Sequence, residues 1–192
     1  MIIVAAYLLV LASVPLTGGS LARLAQLRLA AVWAVVVAMA LQIFVVNIVE
    51  GVLPEGVAAA LHLVSYGFAF WFAWANRHVV GVAVMVAGGL ANLAAIAANG
   101  GVMPASAGAL QAAGRPVHAT VFQNSQAVSD ARLWFLGDVF AWPDPLPLAN
   151  VFSVGDLLLV AGAGMTLHSV CRSRPALAVA RHRSRADLRD ER

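Results

Sequence analysis

The sequence predicts an all-α membrane protein: about five transmembrane helices, with a long outer loop between the fourth and fifth. Three observations carry this. Hydrophobic residues make up 61% of the 192-residue chain, and only 11% are charged, far below the roughly 25% of a soluble domain. The apolar residues gather in five stretches, the first four of them separated by short polar joints. All twelve basic residues are arginine, and ten of them fall on one side of a five-span topology.

The first span is expected at 2–16, about 22 Å long as a helix and so shorter than a bilayer core of roughly 30 Å. Pro15 and Thr17-Gly18-Gly19-Ser20 close it. It is read as a retained span, because no positive segment precedes it and no small-residue cleavage site follows. If it does not cross, the count is four. Leu21, Leu24 and Leu27 follow at a spacing of three, which fits a short interfacial helix beside Arg23 and Arg28.

The second span is expected at 29–48, with Trp33 near one end and Gln42 and Asn47 inside. Glu50, Pro54 and Glu55 mark a turn. The third span, at 57–74, holds His62, Ser65 and Tyr66, then an aromatic run to Trp74 that suits a membrane–water interface. Asn76-Arg77-His78 is a tight connection. The fourth span, at 79–98, carries Gly81, Gly88 and Gly89, which permit close helix approach. Its Asn92 lies seven residues before Asn99, so both fall on nearly one face.

Residues 99–150 form the long outer loop. Leu110, Val117, Val121, Phe122 and Leu133 to Leu136 make it too apolar for a solvated linker. Short helical or re-entrant pieces are expected there, packed on the bundle. The fifth span, at 153–170, ends at Cys171-Arg172-Ser173-Arg174-Pro175. The tail, 171–192, carries seven arginines and is expected to be disordered and cytoplasmic. Arginines between spans one and two, between three and four, and in the tail share one side. This places the N-terminus outside and the C-terminus in the cytoplasm.

Several residues are candidates for a site. Asp156 is an ionisable group at the edge of a span, but Ser153-Val154-Gly155-Asp156 also has the spacing of a capping box. Asn92, Asn99, Gln42 and His62 suit interhelical hydrogen bonds or a shared polar pocket. Gly100, Gly101, Met103 and Pro104 form a turn without the strand–loop–helix context of a phosphate loop. Asp138 follows a glycine, as Asp156 does. The candidate binding set is therefore Asn92, Asn99, Gly100, Gly101, Met103, Pro104, Asp138, Ser153 and Asp156. No catalytic set and no metal-ligand spacing appears, no cofactor is expected, and Cys171 stands alone.

A wider pattern runs through these pieces. Gly18-Gly19, Leu21, Leu24 and Arg28 follow the first span; Gln42, Asn76-Arg77 and Asn92 come next. Asn99-Gly100-Gly101-Val102-Met103-Pro104, Leu136-Gly137-Asp138 and Ser153-Val154-Gly155-Asp156 complete it. The pattern resembles an uncharacterised family of small bacterial integral membrane proteins, known only as a domain of unknown function, over roughly Ile2 to Val170. The resemblance implies a bacterial inner-membrane location and a few spans, and no particular activity.

The expected partner is the lipid bilayer, with another membrane protein or a second copy as a further possibility, an unidentified small ligand, and no nucleic acid. The leading functional expectation is a small binding or transport-type module with a polar site at the outer face. The competing one is an accessory or structural subunit on another membrane protein. A lipid-modifying membrane enzyme is the third.

Overall fold

In the computed structural model, residues 2–47, 54–117, 125–128, 130–174 and 176 are described. Glu50, Val121, Phe122 and nearly all of the arginine tail lie outside them. The described residues are mostly helical, in keeping with the expected all-α class. The long helices are α1 (Ile2–Leu16), α2 (Val32–Asn47), α3 (Glu55–Ala75), α4 (Val82–Ala98) and α6 (Val154–Val170). A 3-10 helix, Leu21–Gln26, occupies the leucine-rich joint after α1. Among these, α3 is long and apolar enough to cross a membrane, over Gly56–Ala75. The others have 15 to 17 residues, or about 22 to 26 Å at 1.5 Å per residue.

Two helices start later than expected, for local reasons. α2 begins at Val32 rather than at 29 because the Ala30 peptide is captured by Asn76 and Ala31 turns the chain at φ 52°. α4 begins at Val82 rather than at 79 because residues 76–81 close a turn that ends in Gly81 at φ 94°.

The helices form two groups. α2 packs antiparallel on α3, with the Gln42 side-chain amide donating to the Ser65 hydroxyl at 3.1 Å. α1 and α4 both pack on α6, and α3 touches α4 only slightly. The α4–α6 contact is set by four glycines. A side chain on Gly81 would strike the Gly162 carbonyl, and one on Gly88 would strike that of Gly155; the reverse substitutions fail the same way. The seven-residue spacing in each helix keeps these glycines on one face. Their antiparallel pairing brings the two backbones together. The glycines read in the sequence as a packing surface are thus used within the chain.

The described residues between 99 and 153 fold into a cap over one end of the bundle. It contains α5 (Ala107–Ala112) and four short strands: β1 (Met103–Pro104), β2 (Ser125–Gln126), β3 (Phe140–Trp142) and β4 (Asn150–Phe152). β1 pairs with β2 in parallel, and β3 pairs with β4 antiparallel. These strand pairs were not expected from the sequence; runs of two or three residues are too short to show a period of two. Ala105, Ala109, Leu110, Ala113 and Val151 give the cap a small core of its own. Phe140 and Phe152 stack across the hairpin at 5.5 Å.

At the opposite end lie the joints that carry Arg23, Arg28 and Arg77, together with Arg172 and Arg174. This end is closed by hydrogen bonds. The Ser20 amide donates to the Cys171 carbonyl at 3.1 Å, and the Arg174 amide to the Thr17 carbonyl at 3.1 Å. His168 bridges the Ser13 and Ser173 hydroxyls at 3.0 and 2.8 Å.

Candidate binding cavity

A cavity of about 590 Å³ lies between the two helix groups, where α3 and α4 part. Its long walls are apolar: Val35 of α2, Ala69 and Phe70 of α3, Met85 and Val86 of α4, and Leu159 of α6. Under the cap the lining changes. Gln42, His62, Tyr66, Asn92 and Asp156 come from the helices, and Arg115, Ser125, Asp138 and Asn150 from the cap. The volume falls in the range of ordinary small-molecule sites.

Each polar group arrives for a local reason. Asp156 is held by the helix it starts. The Ser153 hydroxyl accepts from the Asp156 amide at 3.0 Å, and the Asp156 carboxylate accepts from the Ser153 amide at 3.0 Å, forming the capping box. Asn92 then ties this box to α4. Its Nδ2 donates to Asp156 Oδ1 at 3.0 Å, and its Oδ1 accepts from the Ser153 hydroxyl at 2.9 Å. The three residues form a closed ring of bonds, through their side chains and the Ser153 and Asp156 amides. Asp156 is therefore a helix cap by geometry, and also part of the cavity wall.

Asp138 is different. Its backbone is fixed, with the amide donating to the Pro104 carbonyl at 2.8 Å and the carbonyl accepting from the Ser106 amide at 3.1 Å. Its side chain is buried, and burial pushes its pKa from 3.8 up to about 6. Hydrogen bonding from Ser125 pulls the value down, the Asp156 charge raises it, and the Arg115 charge lowers it.

His62 is 4% exposed, and among the described residues no group hydrogen bonds to either of its ring nitrogens. A buried polar group left unpaired costs about 1–3 kcal/mol. One turn apart along α3, His62, Tyr66 and Phe70 form a ladder of rings with centroids 5.7 and 6.2 Å apart. All three line the cavity.

Of the nine residues singled out in the sequence, Asn92, Met103, Asp138 and Asp156 line this cavity. The rest build its surroundings. Ser153 holds the capping box. Asn99 is the C-cap of α4, and its amide is spent on the Ala95 carbonyl and on both backbone groups of Arg132, at 2.7 to 2.9 Å. Asn92 and Asn99 therefore diverge, because Asn99 has left the helical conformation. Gly100 and Gly101 turn the chain at φ 71° and 96°. A side chain on Gly101 would strike Ala59, so the turn packs on α3. Met103 follows, buried against Ala95, Ile96, Leu63, Tyr66 and Leu136. Pro104 offers its carbonyl to Asp138.

Sequence reasoning missed Tyr66, Arg115, Ser125 and Asn150 as wall residues. Tyr66 had a signal, since it lies one turn from His62 on the same face. Arg115 also had one, as one of two arginines in the long loop. Ser125 and Asn150 had none.

Residues 26–168 match the family of unknown function DUF5317. The chain belongs to that family. The match begins after α1, so Gly18-Gly19, Leu21 and Leu24 lie outside it, while the four candidate residues of the cavity wall lie within. No curated protein and no solved structure matches the chain.

Proposed function

We propose that this DUF5317 chain is a multi-span protein of the bacterial inner membrane, and that its cavity is a binding or transport-type site opening toward the outer face. The observation that carries the binding reading is the cavity itself. It is a roomy apolar slot with a polar end, and a buried histidine there has no hydrogen-bond partner among the described residues.

The membrane reading is supported by an inside-out distribution of side chains. Leu8, Leu9, Val36, Met39, Leu90 and Met165 are exposed, whereas His62, Ser65, Asn76 and Asn92 are buried. Intramembrane polar groups face the bundle interior in this way. All five tryptophans are exposed and sit toward the two ends. Trp33, Trp71 and Trp74 lie near the arginine end, and Trp134 and Trp142 lie on the cap. Two aromatic belts flanking an apolar band suit a bilayer. The helix directions alternate along the chain, which fits successive crossings, and the shorter helices call for local bilayer thinning or tilt of longer neighbours. The arginine end faces the cytoplasm under positive-inside asymmetry.

The accessory-subunit reading would use glycine- and alanine-rich helix faces to pack on another membrane protein. Gly81, Gly88, Gly155 and Gly162 are used in the α4–α6 contact, so these glycines do not support an outward docking surface.

Filling the cavity tests the binding reading. Native mass spectrometry of the full chain released from lipid nanodiscs is expected to show a small-molecule adduct that Ala69→Trp removes while helicity is retained. Identical spectra without an adduct would contradict the reading. For orientation, a reporter active only in the cytoplasm is expected to work when fused at Arg192 and to be silent when inserted near Gln123. Activity at the second site would invert the topology.

A further inference from the structure

We propose that the cavity takes a protonated alkylamine, its ammonium head at the cap end among Asp138, His62 and Tyr66, and its hydrocarbon body between α3 and α4. The inference rests on the reading of this cavity as a ligand site and names the chemistry that would fill it.

Charge argues for a cation. The cap end of the cavity holds two carboxyl groups, Asp138 and Asp156, against one guanidinium, Arg115. Asp156 is already neutralised in part by its helix start and by the bonds from Asn92 and Ser153. Asp138 has less support: a hydrogen bond from Ser125 and the Arg115 charge favour its ionised form, but burial and the Asp156 charge outweigh them, so its charge remains costly. A ligand carboxylate would add a third acid to this end, and an alcohol would leave the imbalance as it is. An ammonium would offset it.

The aromatic ladder argues the same way. His62, Tyr66 and Phe70 present successive rings to one wall of the cavity. Ring faces attract cations, more strongly where water is excluded.

His62 selects between kinds of cation. A neutral imidazole carries one lone pair able to accept a hydrogen bond. A primary ammonium has N–H groups enough for both Asp138 and His62. A quaternary ammonium has none and would leave His62 unpaired. Below the head, the walls from Ala69, Met85, Val86 and Leu159 are apolar. They suit a hydrocarbon body, and the flexible Met85 can adjust to its shape.

The test compares heads on one chain length. n-Octylammonium, 1-octanol, octanoate and octyltrimethylammonium are titrated by calorimetry at pH 7.5 into the full chain in nanodiscs, with empty nanodiscs subtracted. Octylammonium is expected to saturate at least tenfold tighter than octanol, and octanoate not to saturate. Asp138→Asn is expected to weaken octylammonium by about tenfold or more, as loss of a charge-assisted hydrogen bond should, and to leave octanol unchanged. His62→Leu is expected to weaken octylammonium more than octyltrimethylammonium. Each variant is first checked for wild-type helicity. Equal affinity for octanol and octylammonium, or an octylammonium affinity indifferent to both substitutions, would overturn the head-group assignment while the ligand-site reading stands. If none of the four saturates, the assignment falls, and the adduct measurement above decides the broader reading separately.

Discussion

The two ends of the bundle are closed by the same device and left in opposite states. At the arginine end, the C-cap of α3 is Asn76, fully buried. Its amide accepts from the Ala30 N–H at 2.9 Å and donates to the Ala30 carbonyl at 2.9 Å, and to Phe72 at 2.8 Å. At the cap end, the C-cap of α4 is Asn99, which grips the Arg132 N–H and carbonyl in the same two-point way. A side-chain amide thus stands in for a neighbouring strand at both ends. The surroundings differ. At the end that holds Asn76, His168 joins the Ser13 and Ser173 hydroxyls, and the chain is sealed by Ser20–Cys171 and Thr17–Arg174 backbone bonds. Beneath Asn99 lies a cavity whose histidine has no hydrogen-bond partner among the described residues and whose aspartate has its pKa raised by burial. One end is built for permanence. The other keeps groups that cost stability, as the proposed binding role would require.

The largest expected effect tests the frame that both ends share. In Gly155→Ala, the added methyl would collide with the Asn92 side chain and the Gly88 carbonyl. The loss should reach about 3 kcal/mol, read as a fall in the thermal unfolding midpoint in nanodiscs. Gly100→Ala is the contrast: it meets no neighbour within 4 Å, so only its φ of 71° opposes the change.

Next comes the comparison of the two asparagines. Asn76→Ala removes three hydrogen bonds from a buried joint and orphans the Ala30 peptide, at a cost of about 3 kcal/mol. Asn99→Ala breaks its link to Arg132 where that joint is exposed and water can replace the partner; about 1 kcal/mol is expected. Equal losses would erase the distinction between a sealed and a wetter end.

The third prediction is a pH dependence. Asp138 titrates at about 6 in the fold against 3.8 unfolded. Its raised value means that the protonated form is favoured by folding. That contribution is full below about pH 4 and is lost as pH rises through about 6. Asp138→Asn imitates the protonated group. Wild type and variant should be similarly stable at pH 4, and the wild type should be the weaker by about 2–3 kcal/mol at pH 7.5. Parallel curves would show that Asp138 is solvated in the fold.

Much of this arrangement was legible in the residues, and the boundary has physical causes. Helix positions follow from hydropathy, and the capping box from the Ser153–Asp156 spacing, because both are local. The role of Asn92 was half legible. A lone amide in an apolar span needs a partner, but its choice of Ser153 and Asp156 depends on how far the α4 and α6 glycines let the helices approach. The partner of Asn99 was not legible, because Arg132 is placed by the path of the cap. That path is set by two- and three-residue strands that leave no period in the sequence. The cavity was not legible, since it arises from the slight contact between α3 and α4, a property of the whole bundle.

The central claim is that the cap end keeps a polar group at the expense of stability, and His62→Leu tests it most directly. The substitution breaks no hydrogen bond among the described residues and replaces an unpaired buried imidazole with a hydrocarbon of similar size. The unfolding midpoint of the ligand-free chain in nanodiscs is expected to rise, by the equivalent of about 1 kcal/mol, while Asn76→Ala falls. A fall in His62→Leu comparable to that of Asn76→Ala would show that His62 is a structural residue and that the two ends are built alike.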